Sequence, residues 1–548
     1  MSELRDGERT SSSRTRDCHD EIELRSNFYL NNVGEVAATL HSEGLSWIYL
    51  DEHVKNQSTC LGFISHADLV PEIKLSDIYS VEFIENGLTH GSHNKVDNIK
   101  IHWFMLHFAQ KSSSQTCVLS PSSLILGHKD MHICQKWVKR IQDFIHFECR
   151  RPKNLMVFIN PKSGKTKGYS IWEKVSTIFS QAKVKTKVII TQKAGHAHEL
   201  MSSVVNDELS SYDGFVCVGG DGFFNELING FLLSRHKAPY LPCSSDICNL
   251  DQNDNFLDQT DQTANYLCEK FGFGIIPAGS TDALVLCSTG FRDPFTSALH
   301  IVLGKRIRLD LARIVRWKTT CSSETKPLVR YAACFAGYGF YGDVITESEK
   351  FRWMGPKRYD FAGTKVFMKH RSYEAEVSYL ESESENLNSS SDGNLPRRSR
   401  IKPERVICRI NCQVCNKTPQ IPANEAFKWR KCRGKFLSVG AAVISNRNER
   451  SPDGLVADAH LSDGYLHLLM IKDCPRADYL RHLTHLARRG GDPLSFDFVE
   501  HHKTTAFTFT SIGEEGVWNV DGELFPAHRL SAQVFRGLIT VFAPGPEV

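Results

Sequence analysis

The chain has 548 residues, enough for more than one domain and for large cores. Lys and Arg total 66 against 63 Asp and Glu, and the resulting net charge of +3 gives no argument for a nucleic-acid partner. The N-terminus is polar, without the apolar stretch of a signal peptide, and no run approaches the roughly 18 apolar residues that span a bilayer. The 17 cysteines of such a chain read as reduced thiols, so a soluble, cytoplasmic protein with at most peripheral membrane contact is expected.

Residues 1–25 are rich in Ser, Arg, Asp and Glu and are expected to be disordered. Residues 26–150 contain short β-type runs, at 46–50, 60–64 and 99–103, separated by polar or Gly-containing turns. A helix is expected at 130–147, with Ile133, Trp137, Ile141 and Phe144 on one face. Antiparallel strands closed by a helix with a central Trp resemble a pleckstrin homology domain, and the segment Ile73-Lys74-Leu75-Ser76-Asp77-Ile78 adds to the likeness. Any small β domain with a C-terminal helix fits the same pattern. No dense basic cluster lies between the first strands, so phosphoinositide binding is a further step that the likeness alone suggests.

Arg151-Pro152-Lys153-Asn154 reads as a linker, after which strands and helices alternate. Apolar runs at 155–159, 184–190, 214–218 and 273–276 predict a mostly parallel sheet covered by helices, an α/β lobe over 151–310. The Asp/Asn/Gln/Thr-rich stretch 243–270 reads as a surface insertion. From 311 to 548 alternating runs such as 436–444, 465–471 and 506–510 predict a β-rich, antiparallel lobe, interrupted by a flexible Ser/Glu loop at 381–404.

The segment Val216-Cys217-Val218-Gly219-Gly220-Asp221-Gly222 predicts a buried strand that ends in a glycine turn and presents one carboxylate. Phe224, Leu227, Ile228, Phe231 and Leu232 then form one apolar helical stripe. Glycines at such a turn let backbone approach a phosphate, and a helix N-terminus favours the anion. An aspartate there suits chemistry on a hydroxyl that attacks the phosphate, though Asp221 as a plain helix cap fits equally well. Asn160-Pro161-Lys162-Ser163-Gly164-Lys165 and Pro277-Ala278-Gly279-Ser280-Thr281-Asp282 follow two other strands. Loops at the carboxyl ends of parallel strands converge on one crevice, so all three are expected at one sheet edge.

The series Asn160-Pro161, Gly219-Gly220-Asp221-Gly222, Gly279-Ser280-Thr281-Asp282 and Asp521-Gly522-Glu523 resembles the diacylglycerol kinase catalytic family. Gly337-Tyr338-Gly339-Phe340-Tyr341-Gly342-Asp343, leading to Glu347-Ser348-Glu349-Lys350-Phe351-Arg352, is similar to its sphingolipid branch. With the pleckstrin-like region and Cys408-x-x-x-Cys412-x-x-Cys415, the likeness points to the members that phosphorylate ceramide. The resemblance spans about residues 45–548, with the two low-complexity stretches as gaps.

The resemblance implies an ATP-dependent lipid kinase in which Asp221 is the general base on the lipid's primary hydroxyl. It implies that Gly219, Gly220 and Gly222 bring backbone to the reacting groups. Asn160, Pro161, Lys162, Thr191, Glu226, Gly279, Ser280, Thr281, Arg352, Arg358, Asp521, Gly522 and Glu523 would line the nucleotide site, and Asp343 would face the lipid headgroup. Mg²⁺ would be held through Asp521, Ca²⁺ stands as a candidate regulator, and the Golgi or plasma membrane as the site of ceramide. Sphingosine and diacylglycerol are the alternative substrates, and a silent lipid-binding adaptor is the alternative class. Two arginines in a solvated basic loop would account for Arg352 and Arg358 equally well without the family. Cys408, Cys412 and Cys415, with Cys432 further on, offer a four-thiolate zinc set or simply reduced thiols.

Overall fold

The computed structural model describes residues 24–31, 33–50, 72–84, 100–242, 270–323, 326–381, 408, 412–416 and 428–546. The readings of 1–23, 60–64, 243–269 and 382–404 lie outside the described residues. The chain divides into two compact units.

The first is built on a seven-stranded antiparallel sheet. Its strands are Leu24–Leu30, Gly34–Leu40, Gly44–Tyr49, Glu72–Lys74, Ile78–Ile84, His102–Lys111 and Leu119–His128. The expected strand at 99–103 starts later and runs longer, at His102–Lys111. The helix is Met131–Phe147, one residue from the range read off its 3.6-residue period. Trp137 and Ile141 are buried, Ile133 and Phe144 pack at the margin, and Trp137 meets Phe28 edge-on at 4.9 Å.

The second unit holds four consecutive parallel strands, side by side in the order Lys185–Ile190, Asn154–Ile159, Gly214–Gly219 and Gly272–Pro277. Their apolar runs are buried on both faces except in the edge strand Lys185–Ile190, whose Val188 and Ile190 are exposed. The helix Asp221–Arg235 buries Phe224, Leu227, Ile228, Phe231 and Leu232, the stripe read from the sequence.

An antiparallel region follows, through strands such as Tyr373–Glu381, Lys428–Ala442, Leu466–Lys472 and Ala506–Ile512. It is not separate from the parallel strands. Arg529–Phe542 pairs parallel with Gly272–Pro277 at one end and antiparallel with Arg306–Lys318 along its length. One sheet therefore runs from the parallel edge into the antiparallel region, and Arg306–Lys318 crosses the boundary expected at 310.

Candidate active site

Each of the four parallel strands ends at the same edge, and, taking the strands in chain order, the residue after each end is one singled out by the sequence. Asn160 follows the first; its N–H donates to Val218 O, and its side-chain oxygen accepts the Lys162 N–H at 3.0 Å. Thr191 follows the second, with its amide and its buried hydroxyl both donating to Ile159 O, at 2.9 and 3.2 Å. Gly220 and Asp221 follow the third, and Ala278 and Gly279 the fourth, where the Ala278 N–H donates to Gly219 O at 3.0 Å. Lys162 is exposed, as is Ser280, while Thr281 is half-buried.

Asp221 begins its own helix, yet it caps a different one. Its carboxylate oxygens accept the N–H groups of Ala283 at 2.8 Å and Leu284 at 3.0 Å, the first turn of the helix Ala283–Thr289. Burial raises the Asp221 pKa, and those two amides and Arg292 draw it partly back. Each oxygen uses one acceptor site and keeps another for a proton.

Asp282 sits beside it with φ of 49° and is almost fully buried. Its carboxylate accepts the Gly279 N–H at 3.0 Å and pairs with Arg292 Nε at 2.7 Å. Arg292 also donates to Gly279 O at 2.6 Å and Ser280 O at 3.3 Å, so one guanidinium ties Asp282 to the loop at Gly279 and Ser280. Burial and then the Asp221 charge push Asp282 up to about 7. Asp282 closes the motif Gly279-Ser280-Thr281-Asp282 without a role implied by the resemblance, and Arg292 carries no sequence signal beyond its charge.

Asp521 and Gly522, with φ of 48° and 89°, form the two-residue turn between Val517–Val520 and Glu523–Pro526. The Asp521 carboxylate points inward to four donors: Ala333 N at 2.6 Å, Cys334 N at 3.0 Å, Phe335 N at 2.8 Å and Asn225 Nδ2 at 2.8 Å. Burial raises it to about 6 against those bonds, and the charge of Asp221 adds to the rise. Asn225 is buried one turn along the Asp221 helix, so the hairpin is tied directly to that helix. The backbone oxygen of Asp521 also lies nearest to Gly222, at 3.9 Å from where a Cβ would stand. Glu226 on the same helix caps the helix His196–Ser203 through Ala197 N at 3.0 Å and His198 N at 3.4 Å, and burial raises its pKa. Glu523 is paired with Arg330.

Arg352 and Arg358 form a second group. Arg352 lies on the 3₁₀ turn Arg352–Met354 and Arg358 on the helix Lys357–Lys369, and both reach Glu349, Arg352 Nε at 2.5 Å and Arg358 at 3.5 Å. Among the described residues, neither pairs with a member of the Asp221 cluster. Asp343 stands apart as well, accepting the Tyr373 hydroxyl at 2.8 Å at the wall of a small cavity with Phe340, Phe367 and Tyr479. Burial raises its pKa.

Residues 154–314 match the family described as Diacylglycerol kinase catalytic domain, and residues 334–517 match the Ceramide kinase C-terminal domain. These matches define the catalytic unit as that of a lipid kinase. Similarity to curated proteins runs further along the chain. A ceramide kinase of Arabidopsis thaliana is 49% identical over 100% of both chains. One of Oryza sativa subsp. japonica is 44% identical over 95% of this chain and 99% of its own. One of Homo sapiens is 33% identical over 76% of this chain and 78% of its own. A solved diacylglycerol kinase from Bacillus anthracis str. Sterne aligns with 72% of this chain and 97% of its own at 12% identity and a TM-score of 0.42. The chain belongs to the ceramide kinase family.

Proposed function

We propose that this chain transfers the γ-phosphoryl group of ATP to the primary hydroxyl of ceramide, giving ceramide 1-phosphate and ADP. The observation that carries the reading is the 49% identity with a ceramide kinase through the whole chain. Asp221 is the general base. It takes the hydroxyl proton as that oxygen attacks the γ-phosphorus, and its burial makes it a stronger base than an ordinary carboxylate. Gly219, Gly220 and Gly222 face the reacting groups, and the loops at Asn160-Pro161-Lys162 and Gly279-Ser280-Thr281 cradle the phosphates.

In this reading Thr191 and Glu226 shape the nucleotide side, and Arg352 and Arg358 swing from Glu349 to the phosphates when ATP binds. Asp343 accepts from the lipid's amide N–H or a hydroxyl, in place of Tyr373. The donor set does not fit a magnesium ion bound directly by Asp521. Its oxygens already accept four N–H groups, and a metal would have to displace some of them. Asp521, Gly522 and Glu523 are therefore read as positioning residues, and magnesium as the counter-ion that arrives with ATP.

The assigned regions are a docking domain at 26–150, a nucleotide lobe at 151–310 and a lipid lobe at 311–548. The first is read as pleckstrin homology-like on the strength of its seven antiparallel strands and C-terminal helix, binding the membrane surface through phosphoinositide headgroups. No helix among the described residues is long and apolar enough to cross a membrane. Ceramide reaches the site, in this reading, from a membrane that the enzyme visits peripherally.

The deciding experiment supplies labelled ATP with Mg²⁺ to ceramide, sphingosine and diacylglycerol in matched mixed micelles, with and without Ca²⁺. Selective labelling of ceramide is expected. Labelling of another lipid instead would change the substrate, and binding of ATP without any labelling would make the chain an adaptor.

A further inference from the structure

Three cysteines and one histidine meet on the second unit, at a place the kinase reaction does not use. Cys408 Sγ lies 3.5 Å from Cys415 Sγ, and Cys412 Sγ lies 3.4 Å from His460 Nε2. One ligand atom from each of the four residues falls within 4.8 Å of all the others. Zinc–ligand lengths of about 2.3 Å for sulfur and 2.0–2.1 Å for nitrogen give tetrahedral edges of about 3.8 Å between sulfurs and about 3.6 Å from sulfur to nitrogen. The four side chains thus already stand close to the corners of such a site. Cys432, the fourth cysteine expected from the sequence, is elsewhere, on Lys428–Ala442 opposite Val377.

We infer that Cys408, Cys412, Cys415 and His460 form a structural zinc site. Soft thiolates with one imidazole in a closed tetrahedron select zinc among the common divalent ions. The site is set into the protein: Cys408 and His460 are buried, and Cys412 and Cys415 pack against the large core. Arg536 holds both sides of it together, donating to Val414 O on the cysteine segment and to Ser462 O at 3.4 Å beside His460.

On binding, each thiol gives up its proton to solvent as a sulfur–zinc bond forms, with no change of oxidation state. His460 is the adjustable ligand. Its Nδ1 accepts the Ser462 N–H at 2.9 Å, so bonding through Nε2 opens that contact and moves the ring proton to Nδ1. A disulfide is the competing use of these thiols, but it would join only two sulfurs and leave the third cysteine and the histidine idle.

The test is metal analysis of the purified full-length protein after removal of loosely held ions, with free thiols counted in parallel. One zinc per chain is expected, lost in Cys408→Ser and Cys415→Ser and retained in Cys432→Ser. Replacement by Co²⁺ should give a thiolate-to-metal charge-transfer band and the intense visible bands of a tetrahedral ion. In His460→Ala the charge-transfer band should persist while the visible bands shift as water replaces imidazole. Zinc-free wild-type protein that also fails to take up Co²⁺, or a Cys408–Cys415 disulfide found by mapping, would overturn the site. So would unchanged visible bands in His460→Ala, or loss of zinc in Cys432→Ser. The wild-type and Cys432→Ser measurements stand even if the ligand variants fold poorly.

Discussion

Gly220 and Gly279 press their Cα atoms together across the candidate active site. A Cβ on Gly279 would stand 2.5 Å from Gly220 Cα, and one on Gly220 would stand 2.9 Å from Gly279 Cα. The two loops can meet only because both residues lack side chains, and backbone cannot step aside as a flexible side chain would.

Gly279→Ala should therefore destabilise the protein by about 1–3 kcal/mol through overpacking, seen as a lower melting temperature. Gly222 separates folding from function. Among the described residues beyond its own stretch of helix, nothing lies closer than 3.9 Å to a Cβ placed there, so Gly222→Ala should melt like the wild type. If its open side receives the phosphates, the same variant should lose ATP affinity. Normal ATP binding by Gly222→Ala would remove that residue from the site.

Asp221→Asn should lower turnover by about two to four orders of magnitude with ATP affinity nearly intact. Both carboxylate oxygens accept backbone N–H groups, so the amide nitrogen of Asn would face the N–H of Ala283 or Leu284. A melting curve must accompany the kinetics. Near-normal turnover in a folded variant would exclude Asp221 as the base. In the wild type the acid limb of kcat/KM should lie above the ordinary carboxylate range of about 4, because burial raises Asp221.

Asn225→Ala should cost about 1.5–3 kcal/mol, the usual worth of a hydrogen bond to a charged group, because it removes the Nδ2 donor from Asp521 in a buried setting. The magnesium concentration giving half-maximal rate should stay near the wild-type value. A large rise in that concentration would put the metal back on Asp521.

Stability should fall as the pH rises from about 7.5 to about 9. Burial, aided by Asp221, holds the Asp282 pKa at about 7, and burial with Asp463 nearby holds that of Asp310 at about 8. Both would ionise near 3.9 in the unfolded chain. Between those values the folded state binds more protons, so raising the pH favours unfolding. Buried histidines act in the opposite sense lower down: burial holds His300 at about 3 and His501 at about 4, whereas both titrate near 6.5 in the unfolded chain, so their opposing effect fades only about one pH unit above that value. Asp310→Asn should melt lower at every pH, since its amide meets the N–H groups of Gly464 and Gly537, yet with a shallower slope over this range. An equal slope would exclude Asp310 as a source.

What the sequence disclosed was what depends on local period. The parallel strands and the Asp221 helix followed from runs and stripes of a few residues, and their order placed the loops at one edge. The partnerships of the site lay beyond that reach. Asp521 finds Asn225 at a separation of 296 residues and the Ala333 amide at 188, and no local pattern encodes either. Asp-Gly at 521–522 reads equally as a hairpin turn and as a motif, and only the four inward donors explain its acid. Arg292 looked like any surface charge until Asp282 appeared beneath it. Cys432 was grouped with the other thiols by proximity in sequence, whereas the chain brings in His460 instead.

The strand Arg529–Phe542 lies against Gly272–Pro277, which the ribosome makes about 250 residues earlier. During synthesis the catalytic sheet must therefore wait with one apolar border open, a template for wrong pairing. Chaperone demand, slow maturation and intolerance of C-terminal trimming are the natural costs of closing an active-site sheet with a strand made so late.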